Sequence, residues 1–312
     1  MNILITGING FVGSNFVNDW GKRHNLYGLD IRQPEKKGVK QTFAWDRLGS
    51  VPPVNAVVHL AGKAHDTDNK SDAKSYFDVN TGLTQRIFDW FLQSDAQTFI
   101  FFSSVKAAVD FVPGEVLTED VKPNPVGPYG ESKIKAEEYI LSKEPEYKSK
   151  GKRVYIVRPA MIHGPGNKGN LNLLYGVVKR GIPWPLGAYE NRRSFCSIGN
   201  ISYVVKQLII TEKVESGIYH VCDDEAISTN ELIEAMCEAM GKKARIWKMS
   251  QSLINGMAKI GTTLKLPLNT FRLQKLTENY VVSNAKIKSA LGIDKMPISA
   301  KEGIATTIKS FD

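Results

Sequence analysis

Short apolar runs rich in β-branched residues alternate with stretches of helical periodicity through the first half of the chain. Residues 2–6 (NILIT) form such a run and stop at Gly7. Residues 11–22 follow as a helix, with Phe11, Phe16, Val17 and Trp20 near one another at helical spacing. Further strands are predicted at 25–30, 56–61 (AVVHLA), 98–103 (TFIFFS) and 154–157, with helices over 73–93 and 129–143. Strands separated by helices imply βαβ units and a parallel sheet with helices on both faces. The unbroken apolar character of AVVHLA and FIFF suits strands buried on both sides.

The pattern changes after about residue 160. Gly164, Pro165, Gly166, Gly169, Gly181, Pro183, Pro185 and Gly187 predict loops with short helices. Ser228 and Glu231 are spaced as a capping box, and Gly241 is placed to end the helix that they begin. The remainder reads as mainly helical. The predicted class is therefore α/β: a doubly wound parallel sheet over 1–160, and a smaller, mainly helical part over 161–312, some of which returns to the core. The cleft between them is the expected site.

Composition narrows this modestly. With 312 residues, 42% hydrophobic and 23% charged, the chain is an ordinary globular sequence and not a disordered one. The 41 Lys and Arg exceed the 32 Asp and Glu by a formal +9, which suggests an anionic partner. Basic runs interleaved with aromatics are missing, which argues against nucleic acid. Cys196, Cys222 and Cys237 form neither a disulfide framework nor a zinc pattern, and the five histidines show no ligand spacing. No metal is expected. The N-terminus opens directly into a strand pattern and no apolar run has the length of a membrane span, so the expectation is a cytoplasmic protein with no membrane partner.

Residues 6–13 (TGINGFVG) carry G-x-x-G-x-x-G between a strand and a helix. Gly7 permits the turn off the strand, Gly10 lets a pyrophosphate approach the backbone, and Gly13 allows close packing of the helix. The N–H groups and dipole of that helix start face the phosphates, so Phe11 and Val12 belong to the same site. Asp30 lies 23 residues after Gly7, where a carboxylate binds an adenosine ribose. It favours NAD over NADP, although Arg32 could accept a 2′-phosphate and leaves NADP open.

Tyr129 and Lys133 are one helical turn apart, as an acid/base pair requires. A nearby ammonium, with a nicotinamide cation beside it, is expected to favour tyrosinate and lower the phenol pKa. Tyr139 with Lys143 and Tyr175 with Lys179 share the spacing, so context decides. Only Tyr129 follows, by about 25 residues, a buried strand ending in hydroxyls, Ser103 and Ser104. Packing is the expected role of the other two tyrosines.

The ordered set TGxxGFxG, Asp30, HLAGKA, Ser103-Ser104, PYGESK and Arg158-Pro159 resembles the extended short-chain dehydrogenase/reductase family, specifically its nucleotide-sugar epimerases, dehydratases and ketoreductases. The resemblance spans nearly the whole chain. It implies a Rossmann fold, a bound NAD(P) and a nucleotide diphosphate sugar as substrate. It makes Tyr129 the acid/base, Lys133 its partner and nicotinamide-ribose ligand, and Ser104, with Ser103 as the alternative, the group on the reacting oxygen. It assigns Asp46 to the adenine, Leu60, Ala61 and Gly62 to the pyrophosphate side, and Pro159 to the nicotinamide. It also implies a homodimer through paired helices.

For the substrate, Arg193 in NRRSF resembles an arginine that contacts the nucleotide diphosphate, and Asn170 a substrate amide site. Lys106 departs from the family pattern, and a sugar contact is its candidate role. The expected reaction is 4-epimerisation of a UDP-hexose or UDP-N-acetylhexosamine, with 4-ketoreduction as the alternative. Val105 and Lys106 stand where dehydratases carry an Asp-Glu pair. A non-catalytic dinucleotide-binding regulator is the alternative from another class.

Overall fold

The computed structural model describes residues 1–63, 72–167, 169–264 and 269–311. The strands are β1 (Asn2–Thr6), β2 (Asn25–Leu29), β3 (Val39–Phe43), β4 (Ala56–His59), β5 (Thr98–Phe102), β6 (Arg153–Pro159), β7 (Met161–His163), β8 (Phe195–Ser197) and β9 (Gly217–Val221). Seven of them make one sheet in the order β3-β2-β1-β4-β5-β6-β9, and every pairing is parallel. The order reverses between β1 and β4, which opens a crevice at their carboxyl ends. β7 and β8 form a small parallel pair beside it.

Around the sheet lie α1 (Phe11–Trp20), α2 (Ala73–Tyr76), α3 (Leu83–Gln93), α4 (Val105–Ala108), α5 (Pro128–Ser142) and α6 (Glu144–Ser149). α2 runs into α3 through one π-helical turn, Phe77–Gly82. The second half adds α7 (Asn170–Lys179), α8 (Ile198–Ile210), α9 (Thr229–Ala239), α10 (Gln251–Thr263), α11 (Thr270–Thr277), α12 (Ala285–Leu291) and α13 (Ala300–Lys309).

Side-chain alternation along the strands separates two cores. Ile3 and Ile5 of β1 pack with Phe16 and Trp20 of α1 and with Ile201, Val204 and Leu208 of α8. Leu4 points to the opposite face, where Phe88 and Phe91 of α3 meet Phe99, Phe101 and Ile140 of α5. Helices therefore cover both faces, as the sequence predicts. Burying Phe99 and Phe101 contributes on the order of 2 kcal/mol each, and their β5 cannot leave the centre of the sheet without losing it. α7, α9 and α13 close a third core around Tyr175, Met236 and Ile304.

Several elements lie outside the sequence prediction. β3 (VKQTF) is an edge strand whose Lys40 and Gln41 face solvent, so it shows no apolar alternation. β9 comes from the second half yet pairs with β6, so α8 and β9 pack with the first 160 residues. α7 runs ten residues through the stretch read as loops with short helices, which set no bounds for it. The capping box is present as read: Ser228 Oγ accepts from Glu231 N at 3.0 Å and the Glu231 carboxylate accepts from Ser228 N at 2.7 Å. Gly241, at φ +66°, follows that helix. The three cysteines are buried free thiols.

Candidate active site

The glycine turn sits at the crevice between β1 and β4. Gly7 has φ +66°, a conformation that costs other residues roughly 1–2 kcal/mol. A Cβ there would stand 2.9 Å from the Ala61 backbone, so the chain after β4 closes directly onto the turn. A Cβ on Gly13 would stand 2.7 Å from Gly7 O and Ile8 Cα, so α1 packs on the turn through backbone alone. Thr6 Oγ1 ties the two strand ends together, accepting from Ala61 N at 3.0 Å and bonding His59 Nδ1 at 2.6 Å. His59 is fully buried and held neutral, its pKa far below the usual value through burial first and the Lys133 charge second.

α1 begins at Gly10 with no side-chain cap and no acid in its first turn. Its leading N–H groups, including those of Phe11 and Val12, are thus presented to an anion. Asp30, just past β2, turns back to accept from Asn9 N at 3.0 Å. Asp46 is exposed at the carboxyl end of β3. Lys36 is the residue that sequence reading missed here. Its Nζ donates to Ile8 O at 2.9 Å and Ser14 Oγ at 2.8 Å, which fixes a cation beside Asp30. Arg32, considered for that role, is exposed. An uncapped helix start, a turn stripped of side chains and a flanking carboxylate together fit a dinucleotide diphosphate.

The acid/base group assembles at the ends of β5 and β6. Gly127, at φ +82°, and Pro128 start α5, which puts Tyr129 in its first turn. The buried Tyr129 phenol is close enough to Ser104 to feel its side chain, and Ser104 caps α4 by accepting from Lys106 N at 3.1 Å. Ser103 is committed elsewhere, donating to Glu137 Oε1. Glu137 is in turn held by Arg158 of β6, whose Nε donates to Oε1 at 2.9 Å. This buried pair anchors α5 to the sheet, and geometry thereby separates the two serines.

Lys133 lies one turn beyond Tyr129. It donates to Phe102 O at 2.8 Å and sits over the Phe101 ring. Burial lowers its pKa to about 8, against the opposing charge of Glu137. Lys133 by itself does not offset the burial of Tyr129: its phenol stands above the usual tyrosine value, while Ser104 pulls it partly back. The Lys133 ammonium is spent on a carbonyl and on compensating its own burial. A Cβ on Gly62 would lie 3.0 Å from Asn80 Oδ1 and 3.1 Å from Lys133 Nζ, so Gly62, Asn80 and Lys133 converge. Asn80 was not legible in sequence. It projects from the π-helical turn, donates to Ser132 Oγ at 3.0 Å and accepts from Lys63 N at 2.7 Å. Leu60 and Pro159 stand at the ends of β4 and β6 in the same row.

Tyr139 and Tyr175 play other parts. Tyr139 donates to Asp89 and leans on the α3–α5 core, and Tyr175 packs against Phe311.

The substrate-side residues form one charged chain. Lys106 Nζ bonds Asp110 Oδ1 at 2.8 Å and lies over the Tyr280 ring. Asp110 also takes Lys275 at 3.0 Å, Lys275 stands 3.5 Å from Glu278, and Glu278 accepts from Arg193 at 3.2 Å. Three cations share two carboxylates, which leaves one positive charge beside the Ser104 end of α4. Lys106 is thus already ion-paired. Asn170 is the first residue of α7, but its side chain lies outside the described residues. Among the described residues, no cluster of His, Cys, Asp and Glu is arranged to hold a metal.

Comparison with known proteins agrees with this architecture. The NAD dependent epimerase/dehydratase family matches residues 3–222. The UDP-glucose 4-epimerase of Vibrio cholerae is 28% identical, over 99% of this chain and 95% of its own. The N-acetyl-α-D-glucosaminyl-diphospho-ditrans,octacis-undecaprenol 4-epimerase of Escherichia coli O157:H7 is also 28% identical, over 78% of this chain and 73% of its own. The crystal structure of UDP-glucose 4-epimerase from Thermotoga maritima with UDP-glucose superposes at a TM-score of 0.75 with 20% identity, covering 100% of this chain and 98% of that one.

Proposed function

The chain belongs to the NAD dependent epimerase/dehydratase family, and on that premise we propose that it is a nucleotide-sugar 4-epimerase acting on a UDP-hexose or UDP-N-acetylhexosamine. The single observation that carries the reading is the placement of buried Tyr129 and Lys133 one turn apart on α5, with Ser104 beside the phenol and Lys133 Nζ close to Gly62 after β4. The two 28%-identical 4-epimerases support it.

NAD, when bound, supplies a reversible hydride acceptor. The protein's own residues do the rest. The glycine turn and the start of α1 hold the diphosphate, and Asp30 takes the adenosine ribose hydroxyls. Tyr129 accepts the proton of the sugar C4 hydroxyl and later returns it. Ser104 donates to that oxygen while it carries partial negative charge. Lys133, its pKa lowered to about 8 by burial, would hold the nicotinamide ribose and, with the cofactor's positive charge, offset the burial of the phenol. Arg193 offers a planar guanidinium to the nucleotide diphosphate, with Lys106 toward the sugar. Residues 1–160 build the cofactor half and 161–312 mainly the sugar-nucleotide half, with α8 and β9 lent back to the sheet.

Epimerisation needs the 4-keto sugar to turn within the site and be reduced on its other face. Purified protein incubated with UDP-glucose or UDP-N-acetylglucosamine and no added reductant should form the C4 epimer, read by NMR. Stoichiometric consumption of NAD(P)H on a 4-keto sugar, with no epimer formed, assigns 4-ketoreduction instead.

A further inference from the structure

Residues 242–275 contain eight Lys and Arg and no Asp or Glu, so all but one unit of the chain's +9 resides in this stretch. The same stretch exposes large apolar side chains. Leu253, Met257, Ile260 and Leu264 recur at i, i+4, i+7 and i+11, which at about 3.6 residues per turn is one narrow stripe along α10. The helix's buried positions, Ile254, Ala258 and Gly261, form a separate stripe turned toward Leu186 and Leu273. α10 is therefore apolar on two sides, and among the described residues only one is packed. Trp247 before α10 and Phe271 in α11 extend the open side, all six residues being between 46% and 65% exposed. Lys248, Lys259 and Arg272 are exposed among them.

We propose that α10 and α11 dock the protein on an anionic lipid bilayer. An apolar stripe of Leu, Ile, Met, Trp and Phe bordered by lysine and arginine is what an interfacial helix presents: the apolar groups enter the acyl boundary and the cations meet the headgroup charge. Charge complementarity selects this occupant. A two-fold contact with a second copy would set this acid-free surface against itself. A soluble polyanion would use the cations and leave the stripe in water. The proposed contact is peripheral and departs from the expectation of no membrane partner; among the described residues no helix is long and apolar enough to cross a membrane. The docked face is continuous with the charged chain of the candidate site, because Lys275 of α11 bonds Asp110 beside Lys106.

The test is flotation of the purified full-length protein with vesicles of phosphatidylcholine alone, or of phosphatidylcholine and phosphatidylglycerol in equal parts. Recovery with the anionic vesicles should be about tenfold higher and should fall in high salt. The triple variant L253S/I260S/L264S should lose about tenfold of that recovery while keeping its circular dichroism and melting temperature. The charge variant K248Q/K259Q/R272Q leaves the stripe intact, should lose recovery several-fold, and reads the proposal even if the triple variant misfolds. No recovery with anionic vesicles, or recovery unchanged in both variants, overturns the proposal. So does a wild-type dimer that the triple variant converts to monomer without any vesicle binding, since a second copy then covers the face.

Discussion

At the glycine turn, the positive ends that face an anion are backbone N–H groups within residues 7–13. At the Arg193 cluster they are three side chains drawn from positions as distant as Lys106 and Lys275. The turn is held by contacts that leave no room for a Cβ, whereas the cluster is held by two shared carboxylates, Asp110 and Glu278. A site made of backbone is tied to the fold, and substitution there disturbs stability and binding together. A site made of exchangeable side chains can be retuned for another sugar or nucleotide while the sheet stays as it is. Tyr129 and Ser104 stand between the two and serve both.

Five substitutions probe that contrast. The largest effect belongs to the shared centre. Tyr129→Phe should lower kcat by about 10³-fold and leave NAD and UDP affinities within about twofold of wild type, measured by calorimetry beside steady-state rates. A large loss of either affinity would mean that the tyrosine holds a ligand and does not only move a proton.

The second concerns Lys133, on the cofactor side. Its pKa is about 8 in the folded chain against 10.5 in the unfolded one. Between those values the unfolded chain binds more protons, so this residue's contribution to stability rises with pH across the window. The penalty is complete below 8 and relieved above 10.5, by up to roughly 3 kcal/mol. Urea unfolding of wild type and Lys133→Met at about pH 7 and about pH 10 should show wild type gaining on the variant. Parallel behaviour would remove the buried ammonium from the description.

Gly13→Val comes third, at about 2–3 kcal/mol of stability with weakened NAD binding, because its Cβ meets backbone that cannot rotate away. Arg193→Ala should do the reverse. It should weaken UDP binding by about 10–100-fold through loss of a charge-assisted bond while NAD binding stays put. If both variants lost both ligands, the two regions would be one cooperative unit and the contrast would fail. The smallest effect is expected at Arg32→Ala, less than about twofold in NAD affinity, since that side chain is exposed and Lys36 is the cation held beside Asp30.

Legibility in the sequence followed the same division. β1, β5 and α5 could be read because burial on both faces or one helical face forces a run or a period. β3 could not, because an edge strand has little to bury. The glycine turn was readable because its chemistry is local: three glycines at fixed spacing and Asp30 one strand later. The preference for Ser104 over Ser103 came from the family resemblance, but its physical reason needed Glu137 and Arg158, which lie more than thirty residues on in sequence yet hold Ser103 in space. Asn80 and Lys36 carried no signal, one in an ordinary helical stretch and the other in a charged loop.

By itself the sequence determined the parallel α/β core and the glycine turn, and nominated the Tyr129–Lys133 pair. Periodicity, glycine spacing and helical spacing are properties of neighbouring residues, and backbone geometry converts them directly into structure. Only the tertiary structure decided that Lys106, Lys275 and Arg193 share one charge network. It also decided that Lys36 sits at the glycine turn, that burial raises the Tyr129 pKa, and that among the described residues one side of α10 is left open. Those outcomes depend on what burial removes from water and on which distant charges it brings together, and no local pattern encodes either.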